Sequence, residues 1–134
     1  MKMGFRDIGN YLKEVRLDKT GKIPNQYYPQ KTVITRIENN ENYMIKSLFG
    51  YVNALDHQLY HGDIVLKTPA DLGRIIKDKI ESDNIIIAHL GENVNLRRKT
   101  IYMLMSGRGN YYSYLSVLEA LKIEIDIKKT ITNE

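Results

Sequence analysis

The sequence predicts a mainly α-helical chain built from two successive units, each followed by a short strand. Three observations predict it. Apolar residues recur at helical spacing along most of the chain, one residue pattern runs twice in the same order, and two short segments alternate with period two.

The elements follow in order. Over residues 5–16, Ile8, Leu12 and Val15 lie at i, i+4 and i+7, a single apolar helical stripe. A loop is expected over 17–28, where Gly21 and Pro24 fall. Pro29 suits the first turn of a second helix, where its missing N–H would go unpaired anyway. That helix runs through KTVITRIENN, burying Ile34 and Ile37, and Asn39-Asn40 stops it because asparagine tolerates the left-handed conformation. Residues 43–55 read as the next helix. From 57 to 67 alternation broken by Gly62 indicates one strand or a small hairpin.

The pattern then starts again. Pro69-Ala70-Asp71-Leu72-Gly73 opens a helix with Leu72, Ile76 and Ile80 on one face. Residues 85–94, 97–106 and 111–121 give three more helices, the second of them ended by Gly107. The closing KIEIDIKKTI alternates as a strand does.

Matched positions make the repeat explicit. Asp7-Ile8-Gly9 and Leu12-Lys13-Glu14 correspond to Asp71-Leu72-Gly73 and Ile76-Lys77-Asp78, 64 residues on. Lys31, Ile34, Ile37 and Asn40 correspond to Arg98, Ile101, Leu104 and Gly107 at a spacing of 67, and Ala54-Leu55 to Ala120-Leu121 at 66. The units divide at residues 1–68 and 69–134. The first is shorter between its matched helices: it has KIPNQYYPQ, with two prolines, in place of IIIAHLGENVN, so no regular second helix is expected there.

Composition narrows the function classes. A chain of 134 residues, 43% hydrophobic, supports one compact body or two very small units sharing a core. Without cysteine there is neither a disulfide nor a thiolate metal site. No apolar run approaches the roughly 18 residues of a membrane span, and MKMGFRDIGNY is too polar for a signal peptide, so a cytoplasmic protein without membrane contact is expected. The net charge of +4 is modest but unevenly spread. Lys19, Lys22, Lys31 and Arg36 occupy one acid-free window and Arg97, Arg98, Lys99 and Arg108 another, which suits two phosphate-facing surfaces or two solvated basic faces.

LGENVNLRRKTIYMLMSG resembles the helix-turn-helix core of the lambda-repressor-like (Xre-type) family. In that family a helix ending Leu-Ala-x-x-x-Gly turns into one ending Ile-x-x-Ile-Glu-x-Gly. Here Leu90 and Gly91 stand at the Leu-Ala places, Asn95 at the turn glycine, Leu96, Ile101 and Leu104 at buried places, and Gly107 at the end. TVITRIENN, with Glu38, is similar to the family's third-helix signature. The resemblance covers roughly 8–59 and 72–125 and implies two tandem helix-turn-helix units, the first degenerate. It further implies that an arginine late in the first helix pairs with the glutamate ending the third. The first unit has both, Arg16 and Glu38, while the second has Ile80 and Met105 at the matching places. Joint replacement is what energetics permits, because removing one member of a buried pair costs about 3–5 kcal/mol and replacing both can be neutral.

The resemblance implies double-stranded DNA as partner, read in the major groove by the helix over 97–106. Arg97, Arg98, Lys99, Thr100, Tyr102 and Met103 are its candidate contacts, with Arg108 placed for a phosphate; Arg98 and Lys99 suit guanine O6 and N7. The first unit offers Gln30, Lys31, Thr32, Thr35 and Arg36. The two units would act as an internal pseudo-dimer, or one would serve homodimerisation. The two strand tails would pair with each other as a small ribbon, since an exposed edge is otherwise an association site. The expected function is transcription regulation, as a repressor or an antitoxin of its own operon. The alternative is a protein-interaction module on the same fold, binding a toxin or acting against a defence system, with specific DNA binding lost.

Other constellations carry less. His57, His61 and His89 are too scattered to suggest a metal site. Gly107-Arg108-Gly109-Asn110 has no strand before it and no Gly-Lys-Ser/Thr after it, so it reads as a helix-ending turn and not a phosphate loop. The ten tyrosines suit packing first, Tyr114 with Leu115, Leu118 and Leu121. No nucleophile–base pair or carboxylate dyad stands out, so neither an enzyme nor a cofactor is expected.

Overall fold

The computed structural model describes residues 4–19 and 29–130. A single 3-10 turn (Phe5–Asp7) leads into α1 (Ile8–Lys19), followed by α2 (Lys31–Glu38) and α3 (Ile45–Ala54). A hairpin of β1 (His57–His61) and β2 (Ile64–Leu66) precedes α4 (Pro69–Ser82), α5 (Ile87–Val94), α6 (Arg98–Met105) and α7 (Tyr111–Ala120), and β3 (Asp126–Lys129) closes the described chain. The protein is thus mainly helical, with a small three-stranded antiparallel sheet in the order β2-β1-β3. The first unit's segment over 22–28, for which no regular helix is expected, lies outside the described residues.

One core runs through both halves. Ile8, Leu12, Ile34, Ile37, Leu48 and Tyr51 from the first and Leu72, Ile76, Ile101, Leu104, Tyr114 and Val117 from the second are all buried in a single cluster. The positions chosen from periodicity are in it, apart from Val15 and Leu115, which are half-buried at its edge. The turn before α1's apolar stripe and the turn before α4's differ in strength. Thr68 caps α4 with a reciprocal capping box to Asp71, with Pro69 at the first position. Residue 29 departs from expectation: Gln30 is the N-cap of α2, in extended conformation, so Pro29 precedes the helix and does not sit in its first turn. Helix α1 also runs on through Lys19, three residues past the expected end, where Lys19 forms an ion pair with Asp56.

Matched positions do the same structural work. Gly9 and Gly73 are buried where α1 meets α2 and α4 meets α6: a Cβ on Gly9 would lie 2.0 Å from the Ile37 carbonyl oxygen, and one on Gly73 2.6 Å from that of Leu104. Ile37 and Leu104 are themselves a matched pair. Asn40 (φ 56°) and Gly107 (φ 91°) both take positive φ just past α2 and α6. At both ends the next N–H reaches back five residues, Glu41 to Arg36 and Arg108 to Met103, at 2.9 Å each. Asp56 and Lys122, after α3 and α7, form a second positive-φ pair.

The halves join through backbone as well as side chains. Met44 and Asn110 form an isolated antiparallel bridge, with the Ile45 N–H donating to Gly109 O at 3.0 Å and the Tyr111 N–H to Tyr43 O at 2.7 Å. Strands β1 and β3 pair from His57 opposite Lys129 to Tyr60 opposite Asp126. The strand tails therefore pair as expected, with β1 as the central strand of three and not one of two.

Candidate nucleic-acid interface

Helix α5 ends because Asn95 adopts φ 56°, ψ 44°. The Leu96 N–H donates to Gly91 O at 2.9 Å and the Asn95 N–H to Glu92 O, the paired bonds of a Schellman turn. Gly91 permits this closure, since a Cβ there would sit 2.6 Å from Leu96 O. Asparagine bears the left-handed conformation with less strain than other non-glycine residues. The chain then enters α6 through Arg97, the extended N-cap.

Ile101 and Leu104 anchor α6, both fully buried. Leu96 is only half-buried, packed at the core's edge. With the anchors three apart, Arg97, Arg98, Lys99, Tyr102 and Met103 turn outward, Tyr102 at 55% and Met103 at 40% exposure. Thr100 is half-buried, as is Val33 at the matching place in α2, so it sits at the margin of the face. Arg108 is exposed beyond the helix end. None of these cations forms an ion pair among the described residues. A shallow groove at the turn is lined by Ala88, Asn95, Arg97 and Arg98, with Glu92 on its α5 side.

Gln30 at the N-cap and Lys31, Thr32, Thr35 and Arg36 in α2 are all exposed. The Thr35 hydroxyl donates to the Lys31 carbonyl oxygen at 3.1 Å, so its donor is turned back on the helix. Ile34 and Ile37 hold the helix down from the other side.

Behind α2 lies the polar pair. Arg16 donates through Nε to Glu38 Oε2 at 2.6 Å and through its terminal nitrogen to Oε1 at 2.8 Å, with the side chains 8% and 5% exposed. The Tyr51 hydroxyl donates to the same carboxylate. The Glu38 hydrogen bond raises the Arg16 pKa against the opposing effect of burial. In the second half, Ile80 is buried and Met105 half-buried where α4 packs on α6.

Sequence reasoning missed the junction where the chain enters α3 and α7. Asn42 accepts from the N–H groups of Tyr43 and Tyr112, each at 3.1 Å, and Met44 stands 58% exposed beside them. The available signal was the correspondence of Met44 and Asn110, the N-caps of α3 and α7. Two histidines make hydrogen bonds, His57 with the Tyr11 hydroxyl at 3.0 Å and the Leu55 carbonyl at 2.8 Å and His61 with the Glu124 carbonyl, and His89 is exposed. Among the described residues no cluster of His, Cys, Asp and Glu could hold a metal, and no helix is long and apolar enough to cross a membrane.

No protein-family model, curated protein or solved structure matches the chain.

Proposed function

We propose that the protein is a sequence-specific double-stranded DNA-binding regulator of transcription that reads the major groove with α6. One observation carries the reading. Arg97, Arg98 and Lys99 lead an exposed helix face whose reverse is locked by Ile101 and Leu104, directly after a left-handed turn at Asn95. A helix presented by its N-terminal turn brings cations to base edges and phosphates together, where an arginine can bind guanine O6 and N7 in a bidentate manner. In this reading α5 and α6 form a helix-turn-helix pair and α2 is the counterpart of α6 in a tandem, lambda-repressor-like arrangement. The supporting features are the shared glycine contacts, the shared positive-φ turns and the Arg16–Glu38 pair.

Tyr102 and Met103 favour a second reading, because large exposed apolar side chains in mid-helix also suit a protein partner. Selection from a random duplex library at physiological salt separates the two. Wild type should enrich a motif that Arg98→Ala/Lys99→Ala does not. Weak, steeply salt-dependent binding without sequence preference contradicts the DNA reading and leaves the protein partner.

A further inference from the structure

Residues 66 apart meet each other at two places. Met44 opposes Asn110 where the chain enters α3 and α7, and Tyr60 opposes Asp126 in the sheet. The bridge bonds exchange under the same shift: replacing Tyr43 and Tyr111 by their counterparts, Gly109 and Ile45, turns one bond into the other. The shift of 66 that links both antiparallel pairings also carries α3 (Ile45–Ala54) onto α7 (Tyr111–Ala120), the correspondence that a twofold relation between the two helices requires. Helices α2 and α6 lead into these helices through the matched left-handed turns at Asn40 and Gly107, and they correspond at a shift of 67 because one more residue joins α2 to α3 than α6 to α7.

Twofold-related recognition helices suit half-sites in inverted orientation about 10 base pairs apart. In a homodimer the half-sites match because the helices do. Here they do not match. Lys31 stands where the second half has Arg98, Thr32 where it has Lys99, Thr35 where it has Tyr102, and Arg36 where it has Met103. All eight are exposed. The Arg36 guanidinium of the α2 face suits polar base edges, beside a Thr35 hydroxyl whose oxygen is left to accept while its proton goes to Lys31 O, whereas Tyr102 and Met103 suit thymine methyl groups.

We propose that one chain of this protein occupies one duplex site made of two unlike inverted half-sites, the first read by α2 and the second by α6. The proposal rests on the DNA reading above. It differs from that reading in stoichiometry, in the shape of the site and in requiring α2.

The test uses the full chain and the duplex enriched by selection. Native mass spectrometry gives the number of chains per duplex, and hydroxyl-radical footprinting compares wild type with Lys31→Ala/Arg36→Ala and Arg98→Ala/Lys99→Ala. The expected result is one chain per duplex and a non-palindromic bipartite footprint. Each exposed double variant should lose protection over its own half and bind roughly 10- to 100-fold more weakly, the worth of lost base-edge contacts. Two chains on a palindrome, or wild-type footprint and affinity for the α2 variant, overturn the proposal and leave DNA reading by α6 intact. No enriched motif at all overturns both.

Discussion

Arg16 and Glu38 form a bidentate, buried ion pair between α1 and α2, and the Tyr51 hydroxyl of α3 completes it. The matching places in the second half hold Ile80 and Met105. Desolvating two charges costs several kcal/mol per ion, and their attraction repays it only while both are present. Glu38→Ala should therefore destabilise by about 3–5 kcal/mol, measured by urea denaturation. Arg16→Ile with Glu38→Met, which copies the second half, should recover most of that loss. A double variant as unstable as the single one would contradict the account of the pair.

Asn95 should be replaceable by glycine without loss, while Asn95→Val should lower stability by about 1–2 kcal/mol, the cost of a left-handed residue with a branched side chain. Thermal melts of the two variants check it. Equal melting temperatures would mean that the turn relaxes out of the left-handed region.

Gly73→Ala places a methyl 2.4 Å from Met105 O, where backbone must move. We expect destabilisation of about 1–3 kcal/mol, the range for an overpacked core. Gly62→Ala is the comparison: its Cβ meets nothing within 4 Å, and only its φ of 59° opposes the change. Calorimetry should rank Gly73→Ala clearly below it.

Burial raises the pKa of Tyr43, Tyr51, Tyr111 and Tyr114 above the ordinary tyrosine value, with the Glu38 carboxylate adding to the effect at Tyr51. The unfolded chain ionises these phenols near pH 10. Their protonated contribution is complete below that pH and is lost as pH rises from about 10 toward the higher folded values. Stability should thus fall above about pH 10. Ultraviolet titration should show these four phenols ionising only with unfolding; smooth ionisation of all ten tyrosines in the folded protein would contradict it.

Tyr43 differs from the other three. Its hydroxyl is buried without a hydrogen-bond partner among the described residues, while its ring stacks on Tyr111 at 4.9 Å. Tyr43→Phe keeps the ring and removes the stranded hydroxyl, so stability should be unchanged or higher by about 1 kcal/mol. A loss of stability in chemical denaturation would show that the hydroxyl is satisfied.

The sequence reveals long-range order where a strong period or a special residue enforces it. Ile34 and Ile37, Ile101 and Leu104 are legible as buried because helical spacing leaves them one face. Asn95 and Gly107 are legible as turns because few residues tolerate their backbone angles. Arg16–Glu38 was reachable through resemblance, but the Tyr51 hydroxyl that joins it carries no sequence mark. The Met44–Asn110 bridge is one residue long and leaves no pattern, whereas β3 and its pairing with β1 were legible from period-two alternation and the repeat. Of the candidate interface, the outward positions of α6 and their correspondence to α2 were legible, and the bridge that joins the entries to α3 and α7 was not.

The most direct measurement of the central claim is fluorescence anisotropy on the selected duplex and a scrambled duplex of equal length, titrated at physiological salt. DNA reading by α6 predicts binding at least about 1,000-fold tighter to the selected duplex, a preference that Arg98→Ala/Lys99→Ala removes. Equal affinity for both duplexes, falling steeply with salt, would contradict it.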